Sequence, residues 1–164
     1  MKFLIGDAAK CTGCRVCEVV CSVAKEGVSN PARARLHVIR WNEISLEMPM
    51  FCQQCESPLC VTVCPTNAIS RDQELGRMVI DYNMCMGCRM CVAACPFGGV
   101  SFDPVASKVV KCDLCDGDPM CVKFCSTKAI EYVDATALNL RKRREAAHRL
   151  SEWTEKFMTM LPVH

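Results

Sequence analysis

The chain of 164 residues predicts an α+β fold: short hairpins and single helical turns in two like modules around cysteine-held groups, followed by one C-terminal helix. Three observations lead there. Sixteen cysteines fall into four regular quartets. Each quartet is followed by β-type sequence with turn signals, and the last thirty residues change character to a helical pattern. Cysteine at about 10% of the chain is in the range of a cysteine-built scaffold, and without it the 51% hydrophobic content falls to about 41%. A group bound to the sulfurs is expected to fill the interior.

The quartets are Cys11, Cys14, Cys17, Cys21; Cys52, Cys55, Cys60, Cys64; Cys85, Cys88, Cys91, Cys95; and Cys112, Cys115, Cys121, Cys125. The first and third have the spacing C-x2-C-x2-C-x3-C; the second and fourth widen the middle gap to x4 and x5. Disulfides do not suit neighbours three or four residues apart in a chain that reads as reducing-compartment. Tetrahedral zinc takes two C-x2-C knuckles on a longer loop, with no place for a third nearby cysteine. Four ordered quartets also exclude inert buried thiols. The remaining chemistry is iron–sulfur, for which C-x2-C-x2-C-x3-C-P is a known ligand run. A short loop wraps three corners of a cubane, and the fourth corner is met from elsewhere in the chain. Pro65 and Pro96 complete the run after Cys64 and Cys95, whereas Ser22 and Ser126 stand in that place after Cys21 and Cys125.

Element by element, Arg15 to Val20, Arg89 to Ala94 and Val122 to Phe124 read as one or two helical turns that aim a last cysteine outward. Leu36 to Arg40 with Ile44 to Glu47 reads as strand material. Ala68 to Ser70 and Met78 to Asp81 form a hairpin about the turn Arg71 to Gly76, Val100 to Phe102 pairs with Lys108 to Val110, and Ala129 to Val133 is a last strand. Asp134 is a predicted N-cap, and Ala135 to Met160 reads as one helix. Ala146, Leu150, Trp153, Phe157 and Met160 form a seam on it, to be buried against the chain's own body, a partner or another copy.

The alternation of ligand loop, short helix and hairpin resembles the two-cluster bacterial ferredoxin plan carried out twice. The runs Cys11-Thr-Gly-Cys14-Arg-Val-Cys17-Glu-Val-Val-Cys21, Cys64-Pro-Thr-Asn-Ala-Ile, Cys85-Met-Gly-Cys88-Arg-Met-Cys91-Val-Ala-Ala-Cys95-Pro-Phe-Gly-Gly and Lys111-Cys112-Asp-Leu-Cys115 are similar to those of four-cluster electron-transfer subunits of molybdenum and tungsten oxidoreductases. That family includes the small subunits of dimethyl sulfoxide reductase, formate dehydrogenase, formate hydrogenlyase and tungsten aldehyde oxidoreductases. The resemblance covers residues 1–133, a double ferredoxin-like four-cluster domain, and leaves 134–164 as a helical extension for docking or assembly.

The resemblance implies a crossed pairing of quartets, first with fourth and second with third, and four 4Fe–4S clusters. One would take Cys11, Cys14, Cys17 and Cys125; its mate Cys112, Cys115, Cys121 and Cys21; the inner pair Cys52, Cys55, Cys60 with Cys95, and Cys85, Cys88, Cys91 with Cys64. It further implies a non-catalytic subunit that wires a molybdenum- or tungsten-pterin catalytic subunit to a second redox partner, such as a flavin subunit, a ferredoxin or a hydrogenase. The rival readings are a free polyferredoxin shuttle and, from another class, a zinc-structured binding module.

Four thiolates on an oxidised cubane core carry about −2 per site, so four sites move the formal +2 to about −6. Lys10, Arg15, Arg89, Lys111 and Lys123 beside the quartets are then either counter-charge or ordinary solvated cations. Met84, Met86, Met90 and Met120 read as adaptable packing. His37, His148 and His164 are isolated, and no nucleophile–base pair or phosphate loop is present. Arg141 to Arg144 lack the interleaved aromatics of nucleic-acid binders, and the negative body disfavours both nucleic acid and anionic lipid. No run reaches the roughly eighteen apolar residues of a membrane span, and the start is too short for a signal core, which predicts a cytoplasmic protein unless an exported partner carries it.

Overall fold

A computed structural model describes the backbone of residues 2–160 and the side chains of residues 2–148. Of the predicted tail seam, the side chains of Leu150, Trp153, Phe157 and Met160 lie outside the described residues, as does His164. The chain runs β1 (Lys2–Gly6), α1 (Val16–Glu26), β2 (Leu36–Trp41), β3 (Leu46–Phe51), α2 (Leu59–Thr62), β4 (Ile69–Arg71), β5 (Met78–Ile80), α3 (Met90–Ala94), β6 (Val100–Asp103), β7 (Lys108–Lys111), α4 (Met120–Lys123), β8 (Ile130–Asp134) and α5 (Ala135–Met160). It divides into two units, a body over Leu4–Tyr132 and a second unit made of the residues up to Phe3 with those from Val133 onward. Among the described residues no helix is long and apolar enough to cross a membrane.

The body is a small mixed helix–strand structure with two-stranded sheets in place of a large one. β2 pairs antiparallel with β3 from Leu36↔Phe51 to Trp41↔Leu46, β4 with β5 from Ile69↔Ile80 to Arg71↔Met78, and β6 with β7 from Val100↔Lys111 to Asp103↔Lys108. Local turn chemistry closes the last two. The Asp72 carboxylate accepts from the Glu74 amide at 2.9 Å, and Asp103 Oδ1 accepts from Val105 and Ala106 at 2.9 and 3.2 Å. The remaining two-stranded sheet joins β1 to β8. β8 is legible in the sequence and β1 is not, because pairing between opposite ends of a chain has no local signature.

Two apolar cores form beneath these ribbons. One gathers Leu36, Val38, Phe51, Leu114 and Ile130 with Cys17, Cys21, Cys52, Cys112 and Cys121; the other gathers Ile69, Met78, Val100 and Val109 with Cys91. Sulfur is thus part of the interior in both. A network of ion pairs ties the first core's shell together: Glu26, whose side chain is 6% exposed, accepts from Arg33 and Arg35, both at 3.0 Å, and from Lys108 at 3.4 Å. Arg33 also meets Asp103 at 2.8 Å, and Lys25 meets Asp113 at 2.8 Å.

Helix α1 is longer than the predicted turns. Ser22, where a proline would end the helix, is buried, donates from Oγ to the Val19 carbonyl at 2.8 Å and accepts from the Asn30 amide at 3.0 Å. The helix continues to Glu26 and ends on Gly27, whose φ of 71° suits a left-handed cap. Helix α5 has its predicted bounds, and Asp134 Oδ1 accepts from the Thr136 amide at 2.9 Å as its cap.

Candidate metal centres

All four ligand loops end in the same local device. The third cysteine of each quartet, Cys17, Cys60, Cys91 and Cys121, is the second residue of a helix, α1, α2, α3 and α4 in turn. The narrow loops enter their helices through a left-handed arginine, Arg15 at φ 57° and Arg89 at φ 62°. The widened loops enter through an extended proline, Pro58 and Pro119. The extra residues of the second and fourth quartets are therefore absorbed before the third cysteine, which keeps its place.

The residue before each second cysteine also repeats. Gly13, Gln54, Gly87 and Leu114 have φ of 68°, 51°, 72° and 58°. Glycine takes this conformation freely, whereas Gln54 and Leu114 need outside support. Gln54 has it: its Nε2 donates to the Cys112 carbonyl at 2.9 Å, its Oε1 accepts from the Met78 amide at 2.7 Å, and its own carbonyl accepts from Arg71 at 3.2 Å. Arg71 also donates to the Cys55 carbonyl. These bonds join the second quartet's loop to the fourth's.

Three cavities of similar size are each walled by four cysteines. One, of about 330 Å³, is lined by Cys64, Cys85, Cys88 and Cys91 with Ile69, Ile80 and Val109. A second, of about 330 Å³, is lined by Cys11, Cys14, Cys17 and Cys125 with Val38, Pro49 and Ile130. A third, of about 300 Å³, is lined by Cys21, Cys112, Cys115 and Cys121 with Leu36 and Leu114. In each, three cysteines come from one quartet and the fourth is the last member of another. The remaining four, Cys52, Cys55, Cys60 and Cys95, line no such described cavity. Still, the charges of Cys52 and Cys95 act on Cys60, and a Cβ on Gly99 would stand 2.6 Å from the Cys52 Cα. Glycine at 99 lets the segment after Cys95 lie against the backbone of Cys52.

The donor set fits an iron–sulfur group: sulfur ligands, apolar walls and a void between them. Among the described residues, no three His, Cys, Asp or Glu side chains converge on a single ion position. The four sulfurs stand around a space, unlike the approximately 2.3 Å approach to one zinc.

Burial pushes the Cys17 thiol up to about 12, helped by the neighbouring Glu18, and the Cys112 thiol up to about 12 despite the Leu114 amide. Burial also raises Cys21, Cys60, Cys91 and Cys121. Metal binding releases the protons of such thiols. Cys64 and Cys125 differ. Burial works upward on both, but at Cys64 the Thr66 hydroxyl with the amides of Ala68, Thr66 and Ile69 outweighs it, and at Cys125 the amides of Ile130, Ala129 and Thr127 with the Thr127 hydroxyl do so. Both thiols therefore sit below their ordinary range. Cys64 Sγ accepts from the Ala68 amide at 3.3 Å, and the Thr66 and Thr127 hydroxyls lie 3.7 and 3.8 Å from their sulfurs. Sequence reasoning missed these threonines, although the repeated Cys-x-Thr at 64–66 and 125–127 was their signal.

The basic residues sort differently. Lys10 pairs with Glu131 at 3.3 Å, Lys123 with Asp118, and Arg89 lies 3.6 Å over the Phe102 ring. Lys111 alone of the five is buried. The methionines divide: Met120 is half-buried and lines the cavity of Cys112, Cys115 and Cys121, whereas Met84, Met86 and Met90 are exposed, although Met86 still borders the cavity of Cys85, Cys88 and Cys91. His37 is half-buried and His148 exposed.

A mixed helix–strand body with cavities each lined by four cysteines defines an iron–sulfur electron carrier. Residues 45–135 match the 4Fe–4S dicluster domain family and residues 8–24 a 4Fe–4S binding domain. The chain is 34% identical over 174 residues to the electron transport protein HydN of Escherichia coli K12, covering 89% of this chain and 97% of HydN. It is 44% identical over 117 residues to the polyferredoxin-like subunit of aliphatic sulfonate oxidoreductase from Pyrococcus furiosus, covering 71% of this chain and 66% of that subunit. It is 31% identical over 181 residues to formate hydrogenlyase subunit 2 of Escherichia coli K12, covering 88% of this chain and 87% of that subunit. The chain belongs to the 4Fe–4S ferredoxin-type electron transfer proteins.

Proposed function

We propose that residues 1–133 hold four 4Fe–4S clusters on the crossed ligand sets, and that the chain, itself non-catalytic, wires a molybdenum- or tungsten-pterin catalytic subunit to a second redox partner. The observation that carries the reading is the shared lining of the three cavities, three cysteines of one quartet with the last of its mate in each. The fourth set, Cys52, Cys55, Cys60 and Cys95, follows by elimination and from the approach of Gly99 to Cys52. Each cluster, when bound, stores and passes one electron.

The sets also stand in an order. Cys121 feels the charge of Cys17, Cys112 that of Cys52, and Cys91 that of Cys60. The file therefore runs from the set at Cys11 through those at Cys112 and Cys52 to the set at Cys85. Its inner members are sheltered, and Cys14 and Cys88, one from each end set, are the two exposed cysteines. The named relatives include subunits of two oxidoreductases, which supports a partner-bound role. Residues 134–164 are the proposed docking extension.

Anaerobic purification of the native complex tests this. About sixteen iron and little zinc per chain, with a larger pterin-containing subunit in the same peak, is the expected result; a lone chain without iron refutes it. HydN, which this chain spans almost whole, is named an electron transport protein, and that observation favours a free shuttle instead. A chain cut before Asp134 separates the two: a shuttle keeps its electron-transfer rate, and a docked wire loses its partner.

A further inference from the structure

We propose that Lys111 is the buried counter-charge of the cluster held by Cys52, Cys55, Cys60 and Cys95, and that it raises that cluster's reduction potential. The inference rests on the four-cluster reading above and assigns one residue a role in it.

Lys111 is 4% exposed at the end of β7. Its Nζ donates to the Met78 carbonyl at 3.0 Å, and it forms no ion pair with a described carboxylate. Arg71, half-buried, is likewise held by carbonyls, those of Gly76, Gln54 and Cys55, whereas four other sheltered cations of the body are met by carboxylates. Lys25 has Asp113, Arg33 has Glu26 and Asp103, Arg35 has Glu26 and Asp113, and Arg77 has Asp72 and Asp116. Asp113 and Asp116 line a polar cavity with Lys111, but Asp113 Oδ2 is engaged by Lys25 and Arg35 and Asp116 Oδ1 by Arg77.

An ammonium taken out of water without a partner is costly, and such groups persist where a neighbouring charge compensates. Lys111 pairs in register with Val100, and the preceding Gly99 lies against the backbone of Cys52, a member of that ligand set. The position is fixed rather than adventitious. Met78 gives its carbonyl to Lys111 and its amide to Gln54, and Gln54 is bonded in turn to the Cys112 carbonyl. The ammonium is thus pinned between the ligand loops of the second and fourth quartets.

A cubane site passes from about −2 to about −3 on accepting an electron. A fixed positive charge beside it stabilises the reduced state more than the oxidised one, so the potential rises. The set concerned lies inside the file, where too low a potential would make one hop strongly uphill. A single buried lysine keeps that hop passable.

The test is an EPR-monitored redox titration of the full-length, anaerobically purified chain. Lys111→Met removes the charge, Lys111→Gln removes it but keeps a donor for the Met78 carbonyl, and Lys111→Arg keeps it. In the Met and Gln variants one midpoint falls, shifting its one-electron equilibrium at least about tenfold, or about 59 mV. The moving signal is the one lost in Cys60→Ala, and the Arg variant stays with the wild type. Unchanged midpoints in both charge-removed variants, or movement of a different signal, overturn the proposal. Should the charge-removed variants fail to retain that cluster, its selective loss with retention in Lys111→Arg supports the same assignment, and equal loss in Lys111→Arg overturns it. A wild-type chain without four cluster signals refutes the four-cluster reading instead.

Discussion

The proposed crossed ligand sets make a demand on double substitutions that contiguous quartets do not. Cys64 follows Cys60 by four residues, yet it lines the cavity of Cys85, Cys88 and Cys91. Cys64→Ala and Cys88→Ala should therefore remove the same cluster, and Cys60→Ala a different one. With about four iron per cubane, each single variant retains about twelve of about sixteen. The double variant of Cys64 and Cys88 should still retain about twelve, and that of Cys64 and Cys60 about eight. Iron and acid-labile sulfide per chain, measured beside low-temperature EPR, reads both counts. The reasoning fails if Cys64→Ala and Cys60→Ala abolish the same signal, or if the two double variants exchange their iron contents.

Four other outcomes follow from the same coordinates. Gly99→Ala places a methyl against the Cys52 backbone, where no side chain can yield; a cost of about 1–3 kcal/mol should appear as easier loss of one cluster in urea, with the other three retained. Glu26→Gln leaves Arg33, Arg35 and Lys108 without their shared buried carboxylate, costing about 3 kcal/mol, or about 6–12 °C in apparent melting temperature at a fixed scan rate; a change under about 2 °C would show the network to be ornamental. Removing the iron should leave the chain largely unfolded, because several core positions are thiols, and far-UV circular dichroism of an iron-free sample with native intensity would contradict that. Thr66→Val and Thr127→Val each delete a hydroxyl beside a ligand sulfur; a net bond of about 1 kcal/mol corresponds to roughly 40 mV, and the corresponding midpoint should fall.

Much of the chemistry was legible in the sequence because ligand loops are local. Spacing alone groups the sixteen cysteines into four quartets, and composition marks the hairpins at β4–β5 and β6–β7 and the bounds of α5. What escaped depended on partners distant in sequence. Strand β1 exists because β8 returns to it, and α1 outruns its predicted turns because a buried serine replaces a helix-ending proline. The five basic residues near the quartets were indistinguishable as letters. Only burial and pairing separate Lys111, held by a backbone carbonyl, from Lys10 and Lys123, held by carboxylates at the surface.

The unequal loop lengths of the quartets carry a consequence for how the file is built. In every loop the third cysteine opens a helix, whether it is reached through a left-handed arginine or through an extended proline, so insertions change the loop's outer surface and leave the ligand in place. Cys64, Cys95 and Cys125 follow the last turn of α2, α3 and α4, whereas Cys21 remains inside α1. A ligand fixed within an eleven-residue helix has less freedom than one at a helix end. Its sulfur accepts the Arg35 amide at 3.3 Å, and the Arg35 guanidinium is bound to Glu26 on the same helix. Helix, strand and ligand are thus locked together at the set formed by Cys21, Cys112, Cys115 and Cys121, while the two end sets each keep one cysteine open to solvent. Rigidity within the proposed file and access at its ends is the arrangement that the proposed conductor between two partners requires.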